Sequence, residues 1–310
     1  MRVFITGATG FIGGHVAAHL AGLGYEIVAL AQSEQDLLRL RERGYHPVMG
    51  NMQHSQEWRT EAAHADALIH CAMLRRGVRH GAVWLELATE AEKAALRGLI
   101  KAAMAGGRCQ VIIDTSGTVA VGDHGDAWVS RSTPPRDTQM GRYHRAGEAM
   151  IQQAADDGLP ACTLRVGMVY SPDGSFAQYF LKRASDGALP IIGSGDNYVS
   201  PVHIDDVCAA YEKAILSPPV GQILHVVDDH PMTMTEFGER VLQACGGGVL
   251  RHVPRNLVSV FAGAPIAEMA TTSCRSTNDE TREALGWVPR FLDAEQGLAD
   301  VVARWSGHAA

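Results

Sequence analysis

The feature that most constrains this sequence is a group of glycines that begins at its seventh residue. Gly7, Gly10 and Gly13 lie in the segment TGATGFIG, which follows the apolar run 2–6 and precedes a helix-like segment at 11–23. Glycine at these positions permits a tight turn, a close approach of the backbone to a phosphate, and close packing of a helix on a strand. The segment therefore predicts a strand, an anion-binding turn and a helix, with the helix N-terminus facing the anion.

Strand and helix patterns alternate through the first half of the chain. The predicted strands are 2–6, 26–31, 46–50, 67–71, 109–115 and 161–166, and the predicted helices are 11–23, 34–43, 84–105 and 139–157. Continuous apolar strands separated by amphipathic helices indicate a parallel sheet covered on both faces, and right-handed crossovers then give a doubly wound α/β fold. In that setting the glycine turn predicts dinucleotide binding.

The alternation breaks down in the second half of the chain. Gly and Pro interrupt the segments 171–175, 187–195 and 217–221, as expected of an irregular lobe. We predict a dinucleotide-binding domain at 1–170. Residues 171–310 are expected to form mainly a smaller substrate-binding lobe, interleaved with the last elements of the sheet.

Composition narrows the possible partners and compartments. The 310 residues carry a formal net charge of −7, so nucleic acid, which needs clustered Lys and Arg, is not expected as a partner. No long apolar run and no secretory signal pattern is present, so we expect no membrane span and a cytoplasmic protein. The six Cys and fourteen His show no ligand spacing, so no metal site is expected.

Further motifs occur in the order found in one protein family. They are DALIHCA at 66–72, VIIDTSG at 111–117, LRVGMVY at 164–170, PVHIDDV at 201–207 and LGWVP at 285–289. Together with the glycine turn they resemble extended short-chain dehydrogenase/reductases, the NAD(P)-dependent epimerases, dehydratases and reductases, over nearly the whole chain. The resemblance implies a Rossmann-like fold, a nicotinamide cofactor, a small-molecule substrate, and a homodimer formed through the two long helices.

The resemblance also implies which residues line the cofactor. They are Gly7, Thr9, Gly10, Phe11, Ile12, Gln32, Ser33, Asn51, Met52, Cys71, Ala72, Met73, Thr115, His144, Val166 and Met168. The second strand ends at Gln32 and Ser33, without the acidic residue that binds the ribose hydroxyls of NAD. Arg39 or Arg41 is a candidate to reach a 2′-phosphate. The sequence therefore favours NADP, with NAD as the alternative.

The usual catalytic pair of this family is substituted. An ungapped alignment through Glu148 places Met140 at the position of the family's Tyr, His144 at that of its Lys, and Gly117 at that of its Ser. A His there is able to hydrogen-bond the ribose hydroxyls or to exchange a proton near neutral pH. The groups that remain as catalytic candidates are Ser116, Tyr143 and His144.

Three classes of function are compatible with these motifs. The first is an oxidoreductase or epimerase-like enzyme that acts on a small carbonyl or hydroxyl metabolite with non-standard acid/base residues. The second is a redox-neutral lyase, cyclase or isomerase on the same scaffold, and the third is a non-catalytic NADP-binding sensor. The fold does not choose between them, because function resides in the site.

Overall fold

The first half of the chain alternates between parallel strands and helices, as the sequence predicts. The computed structural model describes residues 1–74 and 81–306. Its elements up to the sixth long strand are β1 (Arg2–Thr6), α1 (Phe11–Gly22), β2 (Glu26–Ala31), α2 (Glu34–Glu42), β3 (His46–Met49), α3 (Arg59–Ala63), β4 (Ala67–His70), α4 (Ala82–Gly106), β5 (Val111–Gly117), β6 (Trp128–Val129), α5 (Gln139–Asp156) and β7 (Ala161–Val166). Each predicted strand and helix is present, with its ends displaced by at most two residues.

The second half contains shorter strands and helices that form the lobe. They are β8 (Met168–Tyr170), α6 (Gly174–Phe176), α7 (Lys182–Ser185), β9 (Ala188–Ile192), β10 (Tyr198–Val199), β11 (Pro201–His203), α8 (Ile204–Leu216), β12 (Ile223–Val226), β13 (Met232–Thr233), α9 (Met234–Ala244), β14 (Val249–Val253), α10 (Arg255–Ala262), α11 (Ala264–Met269), β15 (Arg275–Ser276), α12 (Asp279–Leu285) and α13 (Ala294–Ser306). Across the described residues, no helix combines the length and apolar character needed to cross a membrane.

Seven parallel strands form the central sheet, in the order β12-β7-β5-β4-β1-β2-β3. The strand β12 comes from the second half of the chain, so both halves of the sequence contribute to the sheet. Strand order reverses between β1 and β4, and ligands of such sheets bind at this switch point, beyond the carboxyl ends of the strands. The fold is therefore the predicted Rossmann-like, doubly wound α/β fold.

Successive side chains of a strand point to opposite faces of the sheet, so alternate residues pack against different layers of helices. Ile69 of β4 and Ile113 of β5 pack on the side of α1 and α8. Their neighbours Leu68 and Ile112 pack on the side of α4 and α5. Each such buried side chain stabilises the fold by roughly 1.5–3 kcal/mol. The next residues that point to the same side as Leu68 and Ile112 are His70 and Asp114. Both are polar, and both lie near the candidate active site.

Candidate active site

The glycine turn has the geometry of a phosphate-binding loop. Gly7 has φ +80°, and a Cβ there would lie 2.7 Å from the backbone nitrogen of Ala72. A Cβ on Gly13 would overlap the carbonyl oxygen of Gly7. Helix α1 begins directly after Gly10, without a side-chain cap and without an acidic residue in its first turn. Its N-terminal N–H groups and positive dipole end therefore suit a phosphate.

A hydrogen-bonded group of side chains lies behind this turn. Oγ1 of Thr115 is 2.6 Å from Oη of Tyr211 and 3.1 Å from Sγ of Cys71. Burial raises the pKa of the Cys71 thiol to about 11, so the thiol stays protonated near neutral pH. Cys71 therefore lacks the thiolate character of a nucleophile.

Arg43, which the sequence analysis did not select, reaches the first turn of α1 from the C-terminal end of α2. Gln32, at the end of β2 where the adenosine ribose is expected, is exposed. Ser33 instead begins α2: its Oγ accepts a hydrogen bond from the Asp36 N–H at 3.1 Å and donates one to the Asp36 carboxylate at 2.8 Å. Nη1 of Arg43 lies 3.6 Å from where a Cβ on Gly14 would be, beside the first turn of α1.

The other predicted cofactor residues differ in the solvent exposure of their side chains. Oδ1 of Asn51 accepts hydrogen bonds from the N–H groups of Gln53 and His54, at 2.8 and 3.2 Å, and so stabilises its own turn. Met52 is buried against α4, whereas Met73 is exposed. Thr9, Phe11, Ile12, Ala72 and Met168 are half-buried, and Val166 is buried. Their contacts with a cofactor remain predictions.

The phenol of Tyr143 points into the core between α4 and the sheet. Its Oη donates a hydrogen bond to Oε2 of Glu92 at 2.9 Å, and the residue is only 4% exposed. Burial and the neighbouring Glu92 carboxylate raise the pKa of Tyr143 well above its ordinary value. A catalytic role for this phenol remains a prediction, and the geometry favours a packing role.

Ser116 belongs to a buried ion-pair network. Its Oγ donates to Oε1 of Glu148 at 2.6 Å. The Arg165 guanidinium binds both oxygens of that carboxylate at 2.7 Å. Burial opposes ionisation of Glu148, but the hydrogen bonds from Arg165 outweigh it and lower the pKa of the carboxyl. This network holds α5 against β5 and β7, and the catalytic role of Ser116 remains a prediction.

His144 is the candidate that lies against the end of β5. A Cβ on Gly117 would be 3.2 Å from Nε2 of His144. The assignment of these positions to the family's Ser and Lys remains a prediction. Burial lowers the pKa of His144, while the carboxylates of Glu148 and Glu92 act in the opposite direction. The imidazole is therefore neutral near pH 7, with one donor and one acceptor nitrogen.

The doubly wound sheet and the uncapped helix at its switch point define a dinucleotide-binding enzyme of the short-chain dehydrogenase/reductase type. A sequence profile of the NAD dependent epimerase/dehydratase family matches residues 3–226, and the chain belongs to that family. It is an NAD(P)-dependent enzyme of the extended short-chain dehydrogenase/reductase class.

Individual relatives match along nearly their whole length. The 3-diazoavenalumate denitrifying reductase of a Streptomyces species is 26% identical over 310 residues, covering 96% of this chain and 99% of that protein. The human epimerase family protein SDR39U1 (isoform 2), solved with NADPH, has a TM-score of 0.82 at 20% identity and covers 98% of this chain and 99% of its own. The dTDP-glucose 4,6-dehydratase DesIV of Streptomyces venezuelae, solved with NAD, has a TM-score of 0.80 at 19% identity, covering 99% and 97%.

Four residues near this site did not stand out in the sequence. Arg43 lies at the end of α2, and His70, Glu92 and Asp114 come together beneath the cofactor turn. The only local signal was at Asp114, an acidic residue that follows the apolar run of β5, whereas Glu92 lies between other charged residues of α4. Such a residue is rarely buried without a partner. An isolated acidic residue in an apolar helix or strand is therefore a sequence signal for a buried polar site.

Proposed function

We propose that this protein is an NADP-preferring reductase of a small carbonyl metabolite, in which His144 replaces the usual proton-handling pair. The observation that carries the proposal is the contact of the His144 imidazole with Gly117 at the carboxyl end of β5. A nicotinamide bound at the switch point would supply the hydride. The chain's own contribution is to hold the substrate oxygen and to relay a proton to it: one ring nitrogen of His144 gives its proton to the oxygen while the other nitrogen takes one up from solvent water.

The chemistry of His144 suits that contribution. Its imidazole is neutral near pH 7, so one ring nitrogen donates while the other accepts. Ser116 and Tyr143 already donate their hydroxyl hydrogens to buried carboxylates. We therefore assign those two hydroxyls to positioning β5 and α5, and His144 to the hydrogen bond with the ribose or the substrate oxygen.

The proposed preference for NADP rests on the arginine beside the first turn of α1. Ser33 and Asp36 bond to each other at the start of α2. The exposed side chain of Arg43 reaches the first turn of α1, beside the glycine turn. A guanidinium there favours a 2′-phosphate, because Arg binds phosphate oxygens in a bidentate geometry.

We also propose that the lobe at 171–310 binds the substrate and that this substrate has apolar character. Helix α10 contains no buried residue and exposes Val260 and Phe261. Exposed apolar side chains of this size commonly mark a binding surface. A homodimer through α4 and α5, and a cytoplasmic location, remain predictions.

The test is a set of binding and turnover measurements on the purified full chain. NADPH and NADH are titrated by fluorescence, and NADPH oxidation is followed with a panel of ketones and aldehydes. His144→Gln is expected to lower kcat by about 10²–10⁴-fold, the range for loss of a general acid/base. His46→Gln, at an exposed position on β3, is the control and should behave as wild type.

Each alternative gives a different result in the same assay. Failure to bind either nucleotide contradicts the proposal. Turnover without net change in the cofactor supports the redox-neutral lyase, cyclase or isomerase. Tight NADPH binding without turnover of any carbonyl supports the sensor. Wild-type kcat in His144→Gln contradicts the role given to that residue.

A further inference from the structure

A second polar group lies beneath the candidate active site, on the α4–α5 side of the sheet. We define the buried acidic cluster as His70 at the end of β4, Glu92 on α4 and Asp114 on β5. One ligand atom from each residue lies within 4.8 Å of the others, and all three residues are buried. His70 and Asp114 are directly paired in the register of β4 with β5. The cluster is therefore held by the sheet itself.

The charges of this cluster are not balanced by any cation that the structure describes. Among the described residues, no Lys or Arg forms an ion pair or hydrogen bond with Glu92 or Asp114. Oδ1 of Asp114 lacks a hydrogen-bond partner within that part of the chain, and Nε2 of His70 is paired only with the Glu92 carboxylate of the cluster itself. Burying carboxylates without compensation is strongly unfavourable, because the lost hydration is not replaced. The cluster therefore requires a positive charge or bound protons.

Two other acidic groups, one buried and one half-buried, are compensated by arginine. Glu148 is bound by Arg165 through two hydrogen bonds. Asp205 and Asp300, which lie beside His203, both accept hydrogen bonds from Arg304, at 2.8 and 3.1 Å. Arginine performs this role in both groups, whereas within the described residues the buried acidic cluster has only an imidazole.

The orientation of the side chains points to a metal ion. Nδ1 of His70 is 2.6 Å from Oγ1 of Thr6, so Nε2 is directed at the carboxylates and lies 3.1 Å from Oε2 of Glu92. The same carboxylate accepts a hydrogen bond from Tyr143. Metal-binding imidazoles characteristically use one nitrogen for the ion and donate the other N–H to an oxygen, and metal-binding carboxylates are likewise hydrogen-bonded.

We propose that His70, Glu92 and Asp114 bind one divalent transition-metal ion of the zinc class. Imidazole and carboxylate suit Zn²⁺, Mn²⁺ and Co²⁺, with metal–ligand distances of about 2.0–2.2 Å. Ligand atoms around such an ion are roughly 3.3 Å apart in tetrahedral geometry. The pair of His70 Nε2 and Glu92 Oε2, 3.1 Å apart, matches that spacing, and all three ligand atoms lie within 4.8 Å of one another.

The ion is structural rather than catalytic. Its three ligands are buried and lie on β4, α4 and β5. The ion would therefore tie these three elements together, and the contact of His70 with Thr6 extends the group to the end of β1, next to the cofactor turn. The expectation of no metal rested on local spacing. The three ligands are far apart in the chain, on separate elements.

The test uses the full chain, purified without chelators and without a metal-affinity tag. Metal content is measured by inductively coupled plasma mass spectrometry before and after unfolding in guanidinium with EDTA. The chain is then refolded with Zn²⁺, Mn²⁺ or Co²⁺, because a closed site acquires its ion during folding. We expect about one ion per chain, and visible ligand-field absorption for the Co²⁺ form.

Variants distinguish this cluster from adventitious binding. Asp114→Asn and Glu92→Gln preserve shape but remove a charged ligand, and each should weaken metal binding by at least about tenfold. Asp228→Asn changes a buried carboxylate outside the cluster and should bind metal as wild type does. The proposal is overturned if the refolded wild-type chain retains no stoichiometric ion with any of the three metals. Equal binding by the wild type and both cluster variants also overturns it. The wild-type measurement stands even if a variant does not fold.

Discussion

The hydroxyl of Tyr143 donates to the carboxylate of Glu92 across a distance of 2.9 Å, so the tyrosine of helix α5 is anchored to helix α4. This bond turns the phenol toward the core, while the next residue, His144, lies against the end of β5. Replacement of Tyr143 by Phe leaves a buried carboxylate short of one donor. We expect the free energy of unfolding to fall by about 1–3 kcal/mol in urea titrations. An unchanged unfolding free energy would show that the hydrogen bond contributes nothing to stability.

Two glycines of helix α1 allow a matched test of the cofactor turn. A Cβ at Gly13 would overlap the Gly7 carbonyl and lie 3.0 Å from Cβ of Cys71, whereas a Cβ at Gly22 meets nothing within 4 Å. Gly13→Ala should therefore distort the turn and weaken NADPH binding at least about tenfold, since 1.4 kcal/mol suffices for that change. Gly22→Ala should bind normally and gain up to about 1 kcal/mol of stability. Equal dissociation constants for the two variants, measured by fluorescence titration, would contradict the close packing.

The cofactor preference is tested at Arg43. If its guanidinium binds the 2′-phosphate, Arg43→Gln should weaken NADPH binding by about 1.5–3 kcal/mol, the worth of a charged hydrogen bond, and leave NADH binding unchanged. Arg97→Gln, at an exposed position on α4, serves as the control. Isothermal titration with both nucleotides measures the difference. Parallel losses for NADPH and NADH would place Arg43 outside the recognition of the 2′-phosphate.

We expect the buried ion pair of Arg165 and Glu148 to contribute more to the free energy of unfolding than an exposed ion pair does. Replacement of Arg165 by Met strands a buried carboxylate, and we expect a loss of about 3–5 kcal/mol in the free energy of unfolding. The pair of Arg240 and Glu295 is equally short, at 2.8 Å, but it is largely exposed. Arg240→Met should cost less than about 1 kcal/mol. Chemical denaturation of both variants provides the comparison, and losses of similar size would refute the argument from burial.

The carboxyl group of Asp228 makes the stability of the fold depend on pH. Burial, with the neighbouring Asp229 carboxylate, raises the pKa of Asp228 to about 8, whereas an unfolded chain has a value near 3.9. The stability contributed by this group is therefore fully present below about pH 4 and is lost as the pH rises toward 8. Relative to wild type, Asp228→Asn should gain about 1.4 kcal/mol per pH unit between these values. If the free energies of unfolding of wild type and Asp228→Asn change with pH in the same way, the raised pKa is ruled out.

Local patterns were sufficient to predict most of the secondary structure. The strand predicted at 26–31 is β2 (Glu26–Ala31), because an apolar run with polar flanks carries its own boundaries. The strand predicted at 109–115 is displaced to β5 (Val111–Gly117). Its start is set by pairing with β4, where Val111 faces Ala67, and its end by pairing with β7, where Gly117 faces Val166. Register between strands is not contained in the local pattern of one strand.

The sequence by itself determined the doubly wound fold and the glycine turn, because the period of strands and helices and the spacing of glycines are local properties. The substituted catalytic pair remains a prediction. The tertiary structure alone decided that Tyr143 faces Glu92, that Ser116 faces Glu148, and that Arg43 reaches α1. It also brought His70, Glu92 and Asp114 into one buried volume. Which charges share a dry interior depends on strand register and helix rotation. Their electrostatic cost arises only once water has been excluded from between them.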